Sequence, residues 1–185
     1  GDAGYLEPDG QLVVLGRTSE VVHTAGGERF IPNYIENRLK FSSYVKDAAV
    51  LGAGCDYLAA MVCIDMAAVG HWAEEHGVTY TSYADLSQKP QVHALIGQVV
   101  RHVNTMLPPT LAIRRFVLLP KEFDPDDGEV TRTRKLRRNV VEAHYAPVIE
   151  ALYDGRDGLE FETRITYESG EVGVLRRHLA VGTIA

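Results

Sequence analysis

The chain has 185 residues, 45% of them hydrophobic and 24% charged, which is enough to bury a core in one or two domains. Its 19 basic and 25 acidic side chains give a net charge of −6, which argues against nucleic acid or an anionic membrane as a global partner. Two cysteines, Cys55 and Cys63, exclude a disulfide framework and a four-cysteine zinc site. We expect a reducing, cytoplasmic setting, with no signal peptide and no apolar run that spans a bilayer. The first residue is not Met, which suggests a piece of a longer chain.

The first third of the chain alternates short extended runs with turns. Asp9-Gly10 is a strong turn signal between two extended segments and predicts an N-terminal β-hairpin. Ala25-Gly26-Gly27 predicts a second tight turn, and Pro32 is well placed to open a helix. Two apolar runs, 45–51 and 58–64, then predict a pair of buried strands.

The middle of the chain is predicted to be mainly helical. Asp65 is expected to cap a helix that Gly77 ends. The clearest amphipathic helix spans 91–107, and Pro108 ends it. Its apolar face is expected to carry Val92, Leu95, Ile96, Val99, Val103, Met106 and Leu107. We expect Met106, like Trp72, to be a core residue.

Strands and helices alternate in the remaining part. A strand is predicted at 113–119, followed by a polar loop and a helix that carries Leu136 and Val140. Pro147 is expected to break and restart that helix. Period-two alternation over 159–167 and the run 172–179 predict a C-terminal β-hairpin.

These elements indicate an α+β fold. The turns between strands are short, so we predict a small mixed or mostly antiparallel sheet flanked by helices, with a β-hairpin at each end of the chain. The C-terminal hairpin could pack on its own chain or pair with a second copy. Because an isolated hairpin is only marginally stable, we expect it to pack on its own chain.

Two segments have residues suited to binding a ligand. Asp2 can accept two hydrogen bonds from a vicinal diol and Arg17 can donate several, as a ribose would require. The alternative is an aspartate in a turn and an arginine on the surface. Gly26 and Gly27 would let a ligand approach the backbone closely, with amides free to donate. The alternative is a plain hairpin turn before a helix.

A basic cluster stands out in this acidic chain. Within seven residues the sequence places Arg132, Arg134, Lys135, Arg137 and Arg138. Such a cluster can meet a phosphate or carboxylate, but it could equally be a solvated basic face. Nucleic acid is a lesser alternative, because no aromatic residues are interleaved with the charges. The seven histidines have no metal-ligand spacing, and we predict no metal site on this chain.

Three ordered motifs resemble the adenylate-forming (AMP-binding) acyl-CoA synthetase superfamily. They are GDAGYLEPDGQLVVLGRTSEVV, AGGERFIPNYIE and TRTRKLRR. The matching unit is the C-terminal domain with the last strands of the large N-terminal domain, and it is most similar to the long-chain fatty acid CoA ligase branch. The resemblance implies that 1–17 are those last strands, 18–153 the C-terminal lid domain, and 154–185 a C-terminal β-hairpin extension.

The resemblance implies a two-step ligase. A fatty acid carboxylate attacks the α-phosphate of ATP to give acyl-AMP and pyrophosphate, and coenzyme A then takes the acyl group as a thioester. The lid rotates between the steps and presents a different face each time. ATP and Mg²⁺ would be held mainly by the N-terminal adenylation domain, so we expect this fragment alone to be inactive. The full-length enzyme could also associate peripherally with a membrane.

The resemblance also assigns roles to residues. Asp2 and Arg17 would bind the ribose, and Lys135 would be the adenylation lysine. Gly26, Gly27 and the backbone around Glu28 would line the coenzyme A pantetheine channel.

Two positions depart from the family pattern. The hinge is Ser19, where Asp or Lys is usual, and Arg132 stands where long-chain members often have Pro. The first departure does not remove the domain motion, since a hinge only has to absorb a dihedral change. The second bears on the assignment to the long-chain branch.

Other functions remain open at the sequence level. Within the class, the chain could belong to a fatty acyl-AMP ligase, which passes its acyl group to a carrier protein, or to another carboxylate-adenylating enzyme. Outside the class, it could be a non-catalytic phosphate or nucleic-acid binding module that uses the basic cluster. Such a module would bind nucleic acid with an affinity that depends on salt and on several charges together.

Overall fold

A computed structural model describes residues 1–185 and contains nine strands and six α-helices. The predicted elements occur in the predicted order, and one short helix, Tyr83–Ser87, is present that the sequence patterns do not predict. The strands are β1 (Asp2–Leu6), β2 (Leu12–Arg17), β3 (Val22–His23), β4 (Arg29–Phe30), β5 (Val45–Leu51), β6 (Leu58–Ile64), β7 (Ile113–Leu118), β8 (Gly158–Thr166) and β9 (Val172–Thr183). The helices are α1 (Pro32–Lys40), α2 (Met66–Glu75), α3 (Tyr83–Ser87), α4 (Pro90–Asn104), α5 (Arg138–His144) and α6 (Ala146–Tyr153).

The main sheet has five strands in the order β5-β6-β7-β9-β8. Only β6 and β7 run parallel; the other three pairs are antiparallel. Two further two-stranded units, β1-β2 and β3-β4, precede it in the chain. The predicted α+β fold with a mixed, mostly antiparallel sheet is confirmed.

Strand β6 divides the core into two layers. All seven of its residues are buried, and successive side chains point to opposite faces. Leu58, Ala60, Val62 and Ile64 pack with α1, α2 and α4 on one face. Ala59, Met61 and Cys63 pack with α5, α6 and the C-terminal strands on the other. Helices therefore cover both faces, which explains the continuous apolar run.

Helix ends follow capping chemistry, with two corrections to the predicted elements. Asp65 Oδ1 accepts a hydrogen bond from Ala68 N at 3.0 Å, and Gly77 at φ +68° follows α2, as predicted. Helix α4 ends earlier than predicted, because the Asn104 side chain bonds both backbone groups of Ile113. Met106 therefore lies beyond the helix and is 46% exposed, so its prediction as a core residue is wrong.

The second correction concerns Leu136. It lies two residues before α5, not within it, because it forms a β-bridge with Val130. The predicted restart at Pro147 is confirmed: α5 ends at His144 and α6 begins at Ala146. The polar loop is thus closed by a short antiparallel contact, which positions the basic cluster described below.

The C-terminal hairpin is built into the main sheet. Val117 of β7 pairs with Val181 of β9, so the hairpin packs on its own chain. Beside this junction Arg115 donates hydrogen bonds to the carbonyls of Ala151 (3.2 Å) and Leu152 (3.3 Å), at the end of α6. A cation at that position opposes the negative end of the helix dipole. None of the helices has the length and apolarity to cross a bilayer.

Candidate functional site

The basic cluster lies on a tight turn, residues 130–136, which we call the lysine loop. The Val130–Leu136 bridge closes it. Inside the bridge, Thr131 N donates to Lys135 O at 2.8 Å, and Lys135 N donates to Thr131 Oγ1 at 2.9 Å. The main chain of Lys135 is therefore fixed on both sides, while its side chain is exposed. Arg134, between them, is the one non-glycine residue with a positive φ, 65°.

The structure separates the cationic side chains of this cluster into two groups. Arg138 donates to both carboxylate oxygens of Glu36 at 2.8 and 2.9 Å and to Val50 O at 3.1 Å. Arg134 lies 3.5 Å from an Asp47 oxygen. Arg132, Lys135 and Arg137 have no carboxylate within 4.0 Å; all three are exposed. Two of the five charges thus stabilise the fold, and three remain available to a ligand.

Glu36 is a site residue that sequence reasoning missed. It is 2% exposed on α1, where it also accepts a hydrogen bond from Val50 N at 2.7 Å. Burial raises the pKa of the Glu36 carboxyl, against the opposing effect of the Arg138 guanidinium. The sequence did carry a signal for this role, because Glu36 stands beside Ile35 on the apolar face of α1. A carboxylate on a buried face needs a cationic partner, so the position predicts an ion pair.

Lys135 shares a groove with the predicted hinge. The groove has a volume of about 490 Å³ and is lined by Ser19, Lys135 and the first turn of α1 around Pro32. Ser19 lies in a short 3₁₀ turn, Thr18–Glu20, that joins β2 to the rest of the chain. The structure therefore brings the predicted hinge and the predicted catalytic lysine together.

Asp2 and Arg17 face each other across the N-terminal hairpin. They are directly opposite in the β1-β2 register and both are exposed. Opposite residues of an antiparallel pair project from the same face, so both can reach one ligand. Asp2 also lines a groove of about 650 Å³ with Tyr5, His23 and Arg29.

Gly26, Gly27 and Glu28 belong to the β3-β4 turn, residues 24–28, which we call the glycine loop. Gly27 adopts φ +86°, which favours glycine. Its amide donates to Thr24 O at 3.0 Å, and the Glu28 amide donates to Thr24 Oγ1 at 3.2 Å. The prediction that the loop's amides are free is therefore wrong for these two, because the turn uses them to close itself. Gly26 N forms no such bond.

The glycine loop and the lysine loop occupy different places on the domain. Ala25 N donates to Cys55 O at 2.9 Å and Gly54 N donates to His23 O at 2.8 Å, which fixes the glycine loop against the β5-β6 turn. The groove of Lys135 contains no residue of the glycine loop. The structure contains no group of three or more His, Cys, Asp or Glu side chains placed to hold a metal ion.

Comparison with known proteins identifies the class. Residues 19–157 match the family model of the AMP-binding enzyme C-terminal domain, and the chain belongs to that family. The long-chain-fatty-acid–CoA ligase FadD15 of Mycobacterium tuberculosis is 34% identical over 155 residues, covering 83% of this chain and 26% of that protein. The long-chain-fatty-acid–CoA ligase heimdall of Drosophila melanogaster is 27% identical over 191 residues, covering 83% and 28%.

Solved structures give the same fold. The adenylation domain of a carboxylate reductase from Mycobacterium chelonae has 25% identity and a TM-score of 0.61, over 83% of this chain and 22% of that one. The adenylation domain of a carboxylic acid reductase from Segniliparus rugosus, solved with AMP and a co-purified carboxylic acid, has 22% identity and a TM-score of 0.59, over 83% and 22%. The chain spans about a quarter of the length of the curated relatives it matches.

Proposed function

We propose that this chain is the mobile C-terminal domain of a long-chain fatty acid CoA ligase, which forms acyl-AMP from a fatty acid and ATP and then transfers the acyl group to coenzyme A. The observation that carries the proposal is Lys135, an exposed side chain with no carboxylate partner on a main chain held by Thr131. The long-chain-fatty-acid–CoA ligases among the relatives support the choice of substrate class.

In the first step a carboxylate oxygen of the fatty acid attacks the α-phosphorus of ATP. A new oxygen–phosphorus bond forms as the bond to the β-phosphate oxygen breaks, and pyrophosphate leaves with its electron pair. Negative charge accumulates on the phosphoryl oxygens during this transfer, and a compact ammonium group stabilises it. Lys135 would supply that charge, and Asp2 and Arg17 would hold the ribose. Mg²⁺ would neutralise the ATP phosphates in the N-terminal adenylation domain.

In the second step the coenzyme A thiol loses its proton to solvent and the sulfur attacks the acyl carbon. The bond between that carbon and the phosphate oxygen breaks, and AMP leaves with the electron pair. Rotation about Ser19 would replace the lysine loop by the glycine loop at the active site. The main chain at Gly26, Gly27 and Glu28 would then line the pantetheine channel. The two loops occupy separate places, which supports a domain that works with two faces.

We further propose the division of the chain into 1–17, 18–153 and 154–185, with the first segment completing a sheet of the N-terminal domain. Its hairpin exposes apolar side chains that a neighbouring domain would cover, including Leu6 (69% exposed) and Leu12 (67%). We place the enzyme in the cytoplasm, with peripheral membrane contact when it collects fatty acids. A nucleic-acid module is disfavoured, since Glu36 and Asp47 engage two of the five cluster charges.

The test uses the polypeptide that joins this domain to its adenylation domain. Lys135→Ala is expected to reduce ATP–pyrophosphate exchange about 1,000-fold, the scale on which loss of one transition-state charge contact acts. Thioester formation from synthetic acyl-adenylate should survive. Arg137→Ala, which removes another unpaired charge from the same cluster, is the control and should change exchange by less than about 3-fold. Equal effects of the two variants would contradict the proposal.

A further inference from the structure

A buried carboxylate lies at the base of the lysine loop and has no role in the proposed chemistry. Glu129 is 1% exposed and immediately precedes Val130. Its Oε1 accepts hydrogen bonds from Lys121 Nζ and from Asp124 N, both at 3.0 Å, and its Oε2 lies 3.3 Å from His144 Nδ1. An acidic side chain this deeply buried requires such partners, because an unpaired charge in the interior is very costly.

These contacts join three neighbouring stretches of the chain between β7 and α6. Lys121 and Asp124 follow β7, His144 is the last residue of α5, and Glu129 lies between them. Burial alone would lower the pKa of Lys121, but its bonds to Asp127 and Glu129 outweigh burial and raise the pKa. Lys121 is therefore charged at neutral pH. The Lys121–Glu129 contact is an ion pair in which the Glu129 side chain is almost completely buried.

The main chain of Glu129 continues directly into the ladder that holds Lys135. Arg137 N donates to Glu129 O at 2.8 Å, the Val130–Leu136 bridge follows, and Thr131 pairs with Lys135. Each residue pair in this series is covalently continuous with the pair before it. A displacement of Glu129 would therefore be transmitted to Lys135.

We propose that Glu129 and Lys121 are positioning residues for Lys135: their ion pair holds the base of the lysine loop, and so sets where the Lys135 ammonium meets the substrate. This inference rests on the proposed function for its catalytic consequence. The structural statement, that the Glu129–Lys121 pair holds the lysine loop, is independent of the proposed function. The catalytic consequence is expected because displacement of a reacting or stabilising group by about 1 Å can cost about 100-fold in rate.

The structural part is tested by amide hydrogen exchange in the 185-residue chain. Glu129→Gln keeps the shape of the side chain and removes the charge that attracts Lys121. We expect the exchange protection of the Thr131, Lys135 and Arg137 amides to fall at least 10-fold, while amides in β5 and β6 are unchanged. Asp126→Asn is the matched control, because Asp126 is an exposed acid of the segment between β7 and the lysine loop and forms no ion pair. Unchanged protection in Glu129→Gln would overturn the proposal.

The catalytic part is tested in the polypeptide that includes the adenylation domain. Glu129→Gln should lower the kcat of acyl-adenylate formation about 10-fold, with the KM for ATP and the thioester step unchanged. Equal losses in both steps would mean that the pair serves general stability only, and would overturn the positioning role. If Glu129→Gln does not fold, Lys121→Gln/Glu129→Gln removes both charges together and is expected to give the same split.

Lys135→Ala separates this inference from the proposed function. If Lys135→Ala leaves adenylation intact, the proposed function fails, whatever the exchange data show for Glu129→Gln. If Lys135→Ala abolishes adenylation and Glu129→Gln has no effect on it, the proposed function stands and the positioning role is refuted.

Discussion

The glycine loop and the lysine loop are both tight turns that close a short antiparallel pair, but they are held in different ways. The glycine loop closes on the carbonyl and the hydroxyl of Thr24, and its hydrogen bonds to the β5-β6 turn join main-chain groups. The lysine loop rests on buried charges, with Glu129 at its base and the Glu36–Arg138 pair at the start of α5. The first loop presents its backbone, whereas the second presents exposed cationic side chains, of which Lys135 is the one assigned to the substrate.

This difference matches the two tasks proposed for the domain. A channel for a flexible pantetheine arm needs a backbone without side chains, and glycine provides that at little cost in a left-handed turn. A residue that stabilises charge in a transition state needs one atom held accurately, which requires a rigid base. The comparison predicts that charge removal should damage the lysine loop and that added side chains should damage the glycine loop.

The largest effect on folding is expected from Glu36→Gln. This change leaves the half-buried Arg138 without its carboxylate, and breaking such a pair should lower the free energy of unfolding by about 2 kcal/mol. Urea denaturation of the 185-residue chain measures it. Glu142→Gln, on the exposed face of α5, is the control and should stay within about 0.5 kcal/mol. If Glu36→Gln is as stable as the unchanged chain, the Glu36–Arg138 pair does not stabilise the lysine loop region.

The next effect concerns the glycine loop. Gly27→Val places a β-branched residue at φ +86°, which should cost about 1–2 kcal/mol and slow the thioester step about 10-fold. Gly170→Val is a matched control, because Gly170 has φ +84° and a Cβ at either position meets no atom within 4 Å. Both variants should lose similar stability in urea denaturation. If both slow the thioester step equally, the glycine loop has no special role in it.

A smaller effect is expected at Thr131. Thr131→Val removes the hydroxyl that accepts from Lys135 N at 2.9 Å, together with its exposed contact to the Thr133 hydroxyl at 3.0 Å, and leaves the backbone bond from Thr131 N in place. The loss of one such hydrogen bond is worth about 1 kcal/mol, which corresponds to about 5-fold slower adenylation. Thr131→Ser, which keeps the hydroxyl, should restore the rate in a pyrophosphate exchange assay. No rescue by serine would mean that the bond does not position Lys135.

The smallest effect is a dependence of the stability of the domain on pH. Burial lowers the pKa of His93, a half-buried residue of α4 that stacks on Phe116. Below about pH 6.5 His93 therefore takes up a proton in the unfolded chain more readily than in the folded chain. The free energy of unfolding then falls on acidification, by about 1.4 kcal/mol for each pH unit by which the His93 pKa is lowered. His93→Phe should flatten this slope in urea denaturation between pH 7.5 and 5.5. An unchanged slope would assign the titration to another group.

Sequence patterns predicted most of the scaffold but less of the site. The apolar runs of β5 and β6 and the Asp65 cap are local signals, and they specify elements whatever the rest of the chain does. The Leu136 bridge has no such signal, because the helical pattern around Leu136 does not show that this residue pairs with Val130 instead. The Glu36–Arg138 pair joins residues 102 positions apart, so neither motif alone indicates it. The role of each charge in the basic cluster therefore depends on the tertiary structure.

The most direct test of the two-loop account measures both half-reactions separately for both loop variants in the joined polypeptide. Acyl-adenylate formation and thioester formation from synthetic acyl-adenylate are followed for Lys135→Ala and Gly27→Val. The account predicts a crossover: Lys135→Ala loses the first reaction and keeps the second, and Gly27→Val does the reverse. If both variants slow the same reaction, or if neither slows any, the assignment of one loop to each step is wrong.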